Sequence, residues 1–272
     1  MSDHRFSKLD VFTDVPLKGN PLAVIHDADG LSADVMQATA NWMNLSETTF
    51  LMQPEAQADY ALRIFTPRRE LPFAGHPTLG TCQAWLNTGG QPKGDTIVQS
   101  CAAGLIPIRR DGSKLAFRAP PLMRSGAVDP EVVEQIKARL GLTSDQIEAT
   151  EWIDNGPGWC GVLVRDTEIL RSIQPDYSQH PELGLGVIAP ADGEDYDFEL
   201  RGFTRAYDDP VTGSLNASAA QWLFASGIAK GNYVAAQGRE LGRAGRIAIT
   251  KEGDDVWVGG DVATVVTGQI TL

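Results

Sequence analysis

Apolar and polar residues alternate in short runs at the start of the chain. Phe6 to Phe12 (FSKLDVF) has the period-two pattern of a half-buried strand. Thr13 to Pro21 carries Asp, Pro and Gly and reads as a loop, followed by a short apolar strand from Leu22 to Ile25. The spacing then becomes helical. Ser32 is placed to cap a helix through about Asn44, with Val35, Met36, Ala38, Thr39, Trp42 and Met43 expected on its buried side. Thr48 to Met52 and Tyr60 to Phe65 are expected as paired strands and Pro67 to Pro77 as a turn-rich loop. Thr78 to Leu86 reads as a helix, ended by Asn87-Thr88-Gly89-Gly90. Thr96 to Val98, Leu105 to Arg109 and Lys114 to Arg118 complete a small sheet, and Ala119-Pro120-Pro121 reads as a link. Beyond it the same order is predicted again. A helix from Pro130 to Leu140 precedes strands at Gly161 to Val164, Gly186 to Ala189 and Phe198 to Phe203. A loop from Asp208 to Gly213 leads into a helix from Ala217 to Ser226. Strands at Arg246 to Thr250, Asp255 to Val258 and Val262 to Leu272 finish the chain.

The recurrence is visible in the residues themselves. Arg63 to Leu86 lies without a gap on Arg201 to Phe224, an offset of 138 positions. Arg63 falls on Arg201, Phe65 on Phe203, Thr66 on Thr204, Pro72 on Pro210, Gly75 on Gly213 and Gln83 on Gln221. At the same offset Gln99 meets Gln237 and Gly104 meets Gly242. Gly and Pro in register imply two copies of one backbone design, because these residues constrain φ and ψ most. Each copy holds one conspicuous helix among several strands, and such a helix is buried most easily by wrapping the sheet around it. The expected class is therefore α+β, with two pseudo-symmetric lobes, each a mixed sheet rolled around a central helix. The N-terminal lobe is expected over residues 1–120, completed by the last strand at about 262–272. The C-terminal lobe is expected over 121–261.

Composition narrows the partners. The chain has 272 residues, 42% of them hydrophobic and 21% charged, with a net charge of −12. That charge argues against nucleic acid, which needs a basic face. The N-terminus MSDHRFSKLDVF lacks the apolar core of a signal peptide, and no apolar run approaches a membrane span, so a cytoplasmic location is the default expectation. Cys82, Cys101 and Cys160 are scattered without metal-ligand spacing, and each is expected to be a small buried apolar residue.

The candidate chemistry lies at the paired loops. Gly75-His76-Pro77-Thr78 and Gly213-Ser214-Leu215-Asn216 occupy matching places before the two central helices. Unpaired N–H groups and the positive end of the helix dipole make such a start attractive to an anion, and a small carboxylate fits two of them. Ordinary capping by Thr78, Ser214 or Asn216 is the plainer alternative. Among acid–base candidates, Glu47 lies between a helix and a strand, and His76 is the histidine flanked by Gly and Pro. Asp208 and Asp209 precede Pro210, one to brace the loop and the other to face the cleft. His4, His26 and His180 have polar or terminal settings that recommend none of them. A Glu, a His and an Asp converging on one cleft suffice for a proton shuttle, if partial burial raises the carboxylate pKa toward neutrality.

DVFT…GNPLAV, NLSETTF, FTPRRELPFAGHPTLG and DPVTGSLN, in this order, resemble the PhzF family of phenazine-biosynthesis-type isomerases. The resemblance covers nearly the whole chain. It implies the two-lobed fold of diaminopimelate epimerase, with the active site between the lobes, and a homodimer. It also implies that Glu47 is the catalytic acid/base, assisted by His76 and Asp209. Gly75, Gly213 and Ser214 would hold the substrate carboxylate. The family's best-known reaction isomerises trans-2,3-dihydro-3-hydroxyanthranilate by moving a proton, without cofactor or metal. Epimerases and racemases of this fold carry a thiol at each helix start, where this chain has His76 and Ser214. A two-thiol mechanism is therefore disfavoured. Leu215, where alanine is common in the family, is bulkier and expected near the cleft, which bears on substrate size; Trp42 is a second departure.

Three readings follow in order: a cofactor-independent isomerase of a small amino- or hydroxy-carboxylate, a non-thiol epimerase or racemase, and a non-catalytic carboxylate binder. Nucleotide and metal enzymes are disfavoured, because no Gly-x-Gly-x-x-Gly, P-loop or ligand-spaced cluster is present in the sequence.

Overall fold

Parallel strand pairs dictate where the helices go. Two parallel neighbours cannot be joined by a hairpin and need a crossover, usually a helix. The computed structural model describes residues 1–54 and 57–272, and these divide into two compact units: Met1–Arg118 with Gly259–Leu272, and Ala119–Val258.

In the first unit, strand Asp3–Val11 pairs antiparallel with Asn20–Ile25 and with the last strand, Val262–Thr271. The last strand thus returns the C-terminal end of the chain to the strand that begins it. Asn20–Ile25 pairs parallel with Thr48–Met52, and helix Ala33–Met43 makes the crossover. Thr48–Met52 pairs antiparallel with Tyr60–Phe65, which is parallel to Ile97–Cys101. Helix Gly75–Asn87 makes that second crossover. Strands Gly104–Asp111 and Lys114–Arg118 continue the sheet as hairpins. The second helix buries Gly75 through Cys82 and Ala84, and it touches Asp3–Val11, Asn20–Ile25, Thr48–Met52, Tyr60–Phe65, Lys114–Arg118 and Val262–Thr271. Burial around the whole circumference is what a sheet rolled about a helix requires.

Helix Ala33–Met43 instead covers the outside of that sheet. Its Met36 and Ala40 pack on Ile25, Phe50 and Phe65. The expected buried side was half wrong. Val35 and Ala38 are exposed, and Trp42 is 77% exposed. Met36, Thr39, Ala40 and Met43 form the i, i+3, i+4, i+7 stripe, and Val35, Ala38 and Trp42 lie on a neighbouring one.

The second unit repeats the scheme. Trp159–Val164 is parallel to Gly184–Pro190, crossed by the short helix Thr167–Ser172. Phe198–Phe203 is parallel to Tyr233–Gln237, crossed by helix Gly213–Ala225. Strands Arg124–Ala127 and Ile147–Asp154 pair with each other, and helix Pro130–Leu140 packs its Ile136 and Leu140 into the core that contains Val162, Leu185 and Phe203. Four of these elements were absent from the predicted order: Arg124–Ala127, Ile147–Asp154, Thr167–Ser172 and Tyr233–Gln237.

The repeat extends to individual bonds. Tyr60–Phe65, Glu70–Leu71 and Gly75–Asn87 map on Phe198–Phe203, Asp208–Asp209 and Gly213–Ala225 at the same offset. Arg63 pairs with Glu70 and Arg201 with Asp208, both at 2.7 Å. The Thr66 hydroxyl bonds the Arg69 carbonyl, and the Thr204 hydroxyl bonds the Tyr207 carbonyl. Buried Gln99 donates to Thr78, and buried Gln237 accepts from Asn216, its counterpart.

The second central helix lies close to its sheet across a row of glycines. Gly161, Gly186 and Gly202 are neighbours on three adjacent strands. A Cβ on Gly186 would stand 2.1 Å from Leu215 Cδ1, and one on Gly161 would stand 2.8 Å from Trp222. Leu215 was expected near the cleft. It is fully buried inside this unit, seated over Gly186, so its bulk is matched by the missing side chain beneath it.

Two histidines dismissed on sequence are buried. His4 bonds the carbonyls of His26 and Asp27, and His26 lies against Ser7 at 2.9 Å. Burial, reinforced by the charge of Arg5, lowers the His26 pKa to about 4. Burial alone lowers that of His76 to about 3. Between these values and the ordinary 6.5, the unfolded chain takes protons that the folded chain refuses. Stability is therefore expected to fall as pH drops below about 6.5, by about 1.4 kcal/mol per pH unit for each histidine. Urea midpoints measured from pH 7 to pH 4.5, compared with His26→Gln, check this; an unchanged slope in that variant would remove His26 as a contributor.

No helix of the described residues is long and apolar enough to cross a membrane. Cys82 and Cys160 are buried as expected, and burial pushes both thiols up to about 12, whereas Cys101 is partly exposed.

Candidate functional site

Glu47 is placed by two stops in the chain. Helix Ala33–Met43 ends at Asn44, whose left-handed conformation (φ 52°) lets its N–H bond the Ala40 carbonyl and turns the chain back. Four residues later Thr48 opens a buried strand. That strand is stitched to the central helix by a 2.8 Å bond between the hydroxyls of Thr49 and Thr81. The register carries Glu47, at the strand's entrance, toward the first turn of the same helix. There His76 Nδ1 lies 3.3 Å from Glu47 Oε2.

His76 is the second residue of its helix, and Pro77 follows it, where a missing N–H costs nothing. The His76 side chain is 5% exposed and that of Glu47 16%. Because burial holds the His76 pKa near 3, the imidazole is neutral at ordinary pH and carries one N–H. Nδ1 is the ring nitrogen that meets the Glu47 carboxylate, as a close contact rather than a directed hydrogen bond. Nε2 is buried and has no hydrogen-bond partner among the described residues. A shielded carboxylate oriented by a neutral ring is suited to taking up and returning a proton.

The helix starts are not capped by side chains. The first has Ala74 and the second Thr212 in the capping position, neither making a side-chain cap bond. The plainer alternative assigned this task to Thr78, Ser214 or Asn216. Thr78 Oγ1 donates back to the Ala74 carbonyl, and Asn216 Nδ2 to the Thr212 carbonyl. The Ser214 hydroxyl accepts from Trp159 Nε1 at 3.0 Å. The dipole of each helix start is therefore not spent on a local carboxylate or hydroxyl cap.

In the second unit the paired aspartates divide their work. Asp208 bonds Arg201 at 2.7 Å and accepts from the Tyr177 hydroxyl, which makes it the brace of the loop. Asp209 accepts from Thr212 Oγ1 at 2.6 Å, and its carbonyl accepts from Gln237 Nε2 at 3.0 Å. Gln237 Oε1 also receives the Thr212 N–H and Asn216 Nδ2. One buried amide thus fastens Asp209 and the helix start together. Asn155 Nδ2 donates to the Ser214 carbonyl at 2.9 Å, from a turn in which Asp154 Oδ1 accepts the N–H groups of Gly156 and Gly158.

Of the residues predicted from sequence, the structure brings Glu47, Gly75 and His76 together in the first unit. It brings Asp209, Gly213 and Ser214 together in the second. Sequence reasoning missed Asn155, Trp159 and Tyr177 as their supports. Gln237 had a signal, its match to Gln99 in the repeat, but that match carried no role. Asn155-Gly156-Pro157-Gly158 announces a turn, and nothing local says which helix the turn touches.

A family model described as phenazine biosynthesis-like protein, PhzC-PhzF, matches residues 9–268. The trans-2,3-dihydro-3-hydroxyanthranilate isomerase of Pseudomonas aeruginosa is 33% identical, the match covering 99% of this chain and 100% of that one. Antisense-enhancing sequence 1 of Schizosaccharomyces pombe is also 33% identical, over 99% of this chain and 96% of its own length. A crystal structure of a phenazine biosynthesis protein of the PhzF family from Enterococcus faecalis superimposes with a TM-score of 0.84 at 27% identity, covering all of both chains.

Proposed function

The chain belongs to the phenazine biosynthesis-like PhzC-PhzF family, and from that premise we propose that it is an isomerase moving a proton on a small amino- or hydroxy-carboxylate. The observation that carries this reading is the Glu47–His76 contact at 3.3 Å, shielded from water beside an uncapped helix start. In this proposal Glu47 takes the proton from one carbon of the substrate and returns it to another along the same conjugated system. His76, neutral through burial, holds the carboxylate in place and does not compete for the proton. The uncapped N–H groups at the Gly75 helix start bind the substrate carboxylate beside Glu47. In the second unit, Asp209 is fixed by Thr212 ahead of the matching start at Gly213 and Ser214. A ring substrate like that of the Pseudomonas isomerase fits the proposal, since a conjugated ring lets a single base serve both positions.

The raised thiol pKa values of Cys82 and Cys160 support a carboxylate base rather than a thiolate, because a thiol near 12 is protonated at ordinary pH. The test is incubation of cyclic and acyclic amino- and hydroxy-carboxylates in heavy water, followed by NMR. Deuterium entering at a carbon other than the one that lost its proton is expected. Entry with inversion at the same carbon would mark an epimerase instead, and no exchange with any member of the panel would count against both.

A further inference from the structure

Helix Ala33–Met43 carries a second apolar stripe that the described residues leave uncovered. Val35, Ala38 and Trp42 are all exposed, whereas Met36 and Ala40 beside them are packed on the sheet. The exposed three are spaced by three residues and then four, so they line up along the helix. That is the spacing by which two helices interlock their side chains. Ala38, at the middle of the line, is small enough to let a second helix come close.

The charges beside the stripe are sorted by end. Asp34 stands in the first turn, and the last turn has no basic residue of its own. Another segment brings basic charge there. Gln37 Nε2 donates to the Thr66 carbonyl at 2.9 Å and Asn41 Nδ2 to the Pro67 carbonyl at 3.0 Å, which fastens the turn at 66–69 along the C-terminal half of the helix. Arg68 and Arg69 lie in that turn, both exposed. Their backbone N–H groups bond Thr66, and neither side chain has an ion pair or hydrogen bond among the described residues. Glu70, the next residue, is taken by Arg63. The Asp34 side chain likewise has no partner among the described residues.

An acidic end and a basic end on one apolar helix face make that face self-complementary. A twofold axis through Ala38 sets two copies of the helix antiparallel. Trp42 of each copy then packs beside Val35 of the other, and Arg68 and Arg69 of each reach the end that carries the other's Asp34. Antiparallel helices also bring opposite dipole ends together. Two chains of net charge −12 otherwise repel, and the paired ends offset that repulsion at the contact.

We infer that this face joins two copies of the chain, helix Ala33–Met43 lying antiparallel to its twin about Ala38. Sedimentation equilibrium of the full chain tests it, with the fold of each variant checked by circular dichroism. The unaltered chain is expected to form a dimer that added salt weakens. Trp42→Gln is expected to weaken the dimer by roughly tenfold or more, as for a central aromatic contact. Asp34→Arg alone is expected to weaken it, and so is Arg68→Asp with Arg69→Asp. All three changes together exchange the two ends and should restore it. A monomer at every concentration measured would overturn the inference. So would a dimer indifferent to Trp42→Gln, by placing the contact on another surface, or a combined variant that fails to recover.

Discussion

Glu47→Gln is expected to reduce substrate proton exchange by roughly 10²- to 10⁴-fold while leaving the substrate bound, the range for loss of a positioned acid or base. The substitution keeps the shape of the side chain. Glutamine fills the same space against the His76 ring, so the helix start and its neutral histidine should stay in place. What is lost is the ability to carry a proton. A fall in kcat with KM nearly constant, together with loss of deuterium incorporation, is the expected signature. His76→Asn should show a smaller loss, since it removes the group that orients the base but not the base. Wild-type exchange rates in Glu47→Gln would remove Glu47 from the mechanism, whatever the substrate proves to be.

Gly186→Ala is expected to be the most damaging small substitution in the second unit. The added methyl would stand 2.1 Å from Leu215 Cδ1, on a helix fully packed at that position. Neither strand nor helix can retreat freely. Gly186 is paired on both sides, to Gly161 and Gly202, and the helix start is fastened by Gln237. Overpacking of this kind costs about 1–3 kcal/mol, a drop of several degrees in melting temperature. Leu215→Ala alone should cost about 2–5 kcal/mol by leaving a cavity. The double variant should recover at least about 1 kcal/mol relative to the sum, because each change relieves the other. Strictly additive losses would show that Leu215 does not depend on the gap at Gly186.

Much of this architecture was legible because its signals are local. Gly75 and Gly213, with Pro72 and Pro210, fall at one offset, and the turns that precede them have the same hydroxyl bonds at Thr66 and Thr204. Arg63 and Arg201 repeat for a reason the sequence did not state: each holds an acid on the short strand before the central helix. Ile147–Asp154 escaped prediction because Glu148 and Glu151 interrupt its apolar residues, and its pairing with neighbours on both sides is not encoded in period. The wrong face of helix Ala33–Met43 has a similar cause. Val35, Ala38 and Trp42 are as apolar as the stripe that packs, and only Ile25, Phe50 and Phe65 decide which of the two is covered.

The sequence by itself determined the repeat, the family, the existence of two central helices and the residue types at their starts, since all of these rest on neighbours along the chain. Tertiary structure alone decided that Glu47 meets His76, that Asp208 braces while Asp209 accepts from Thr212, and that Leu215 packs inward. Glu47 with His76 and Leu215 over Gly186 are contacts between distant stretches of chain, fixed by strand register and by which face a helix buries, and the aspartates are sorted by how their short strand pairs with Phe198–Phe203. Burial then set the chemistry: the same imidazole would titrate near neutrality in water, and enclosure beside the helix start keeps it uncharged.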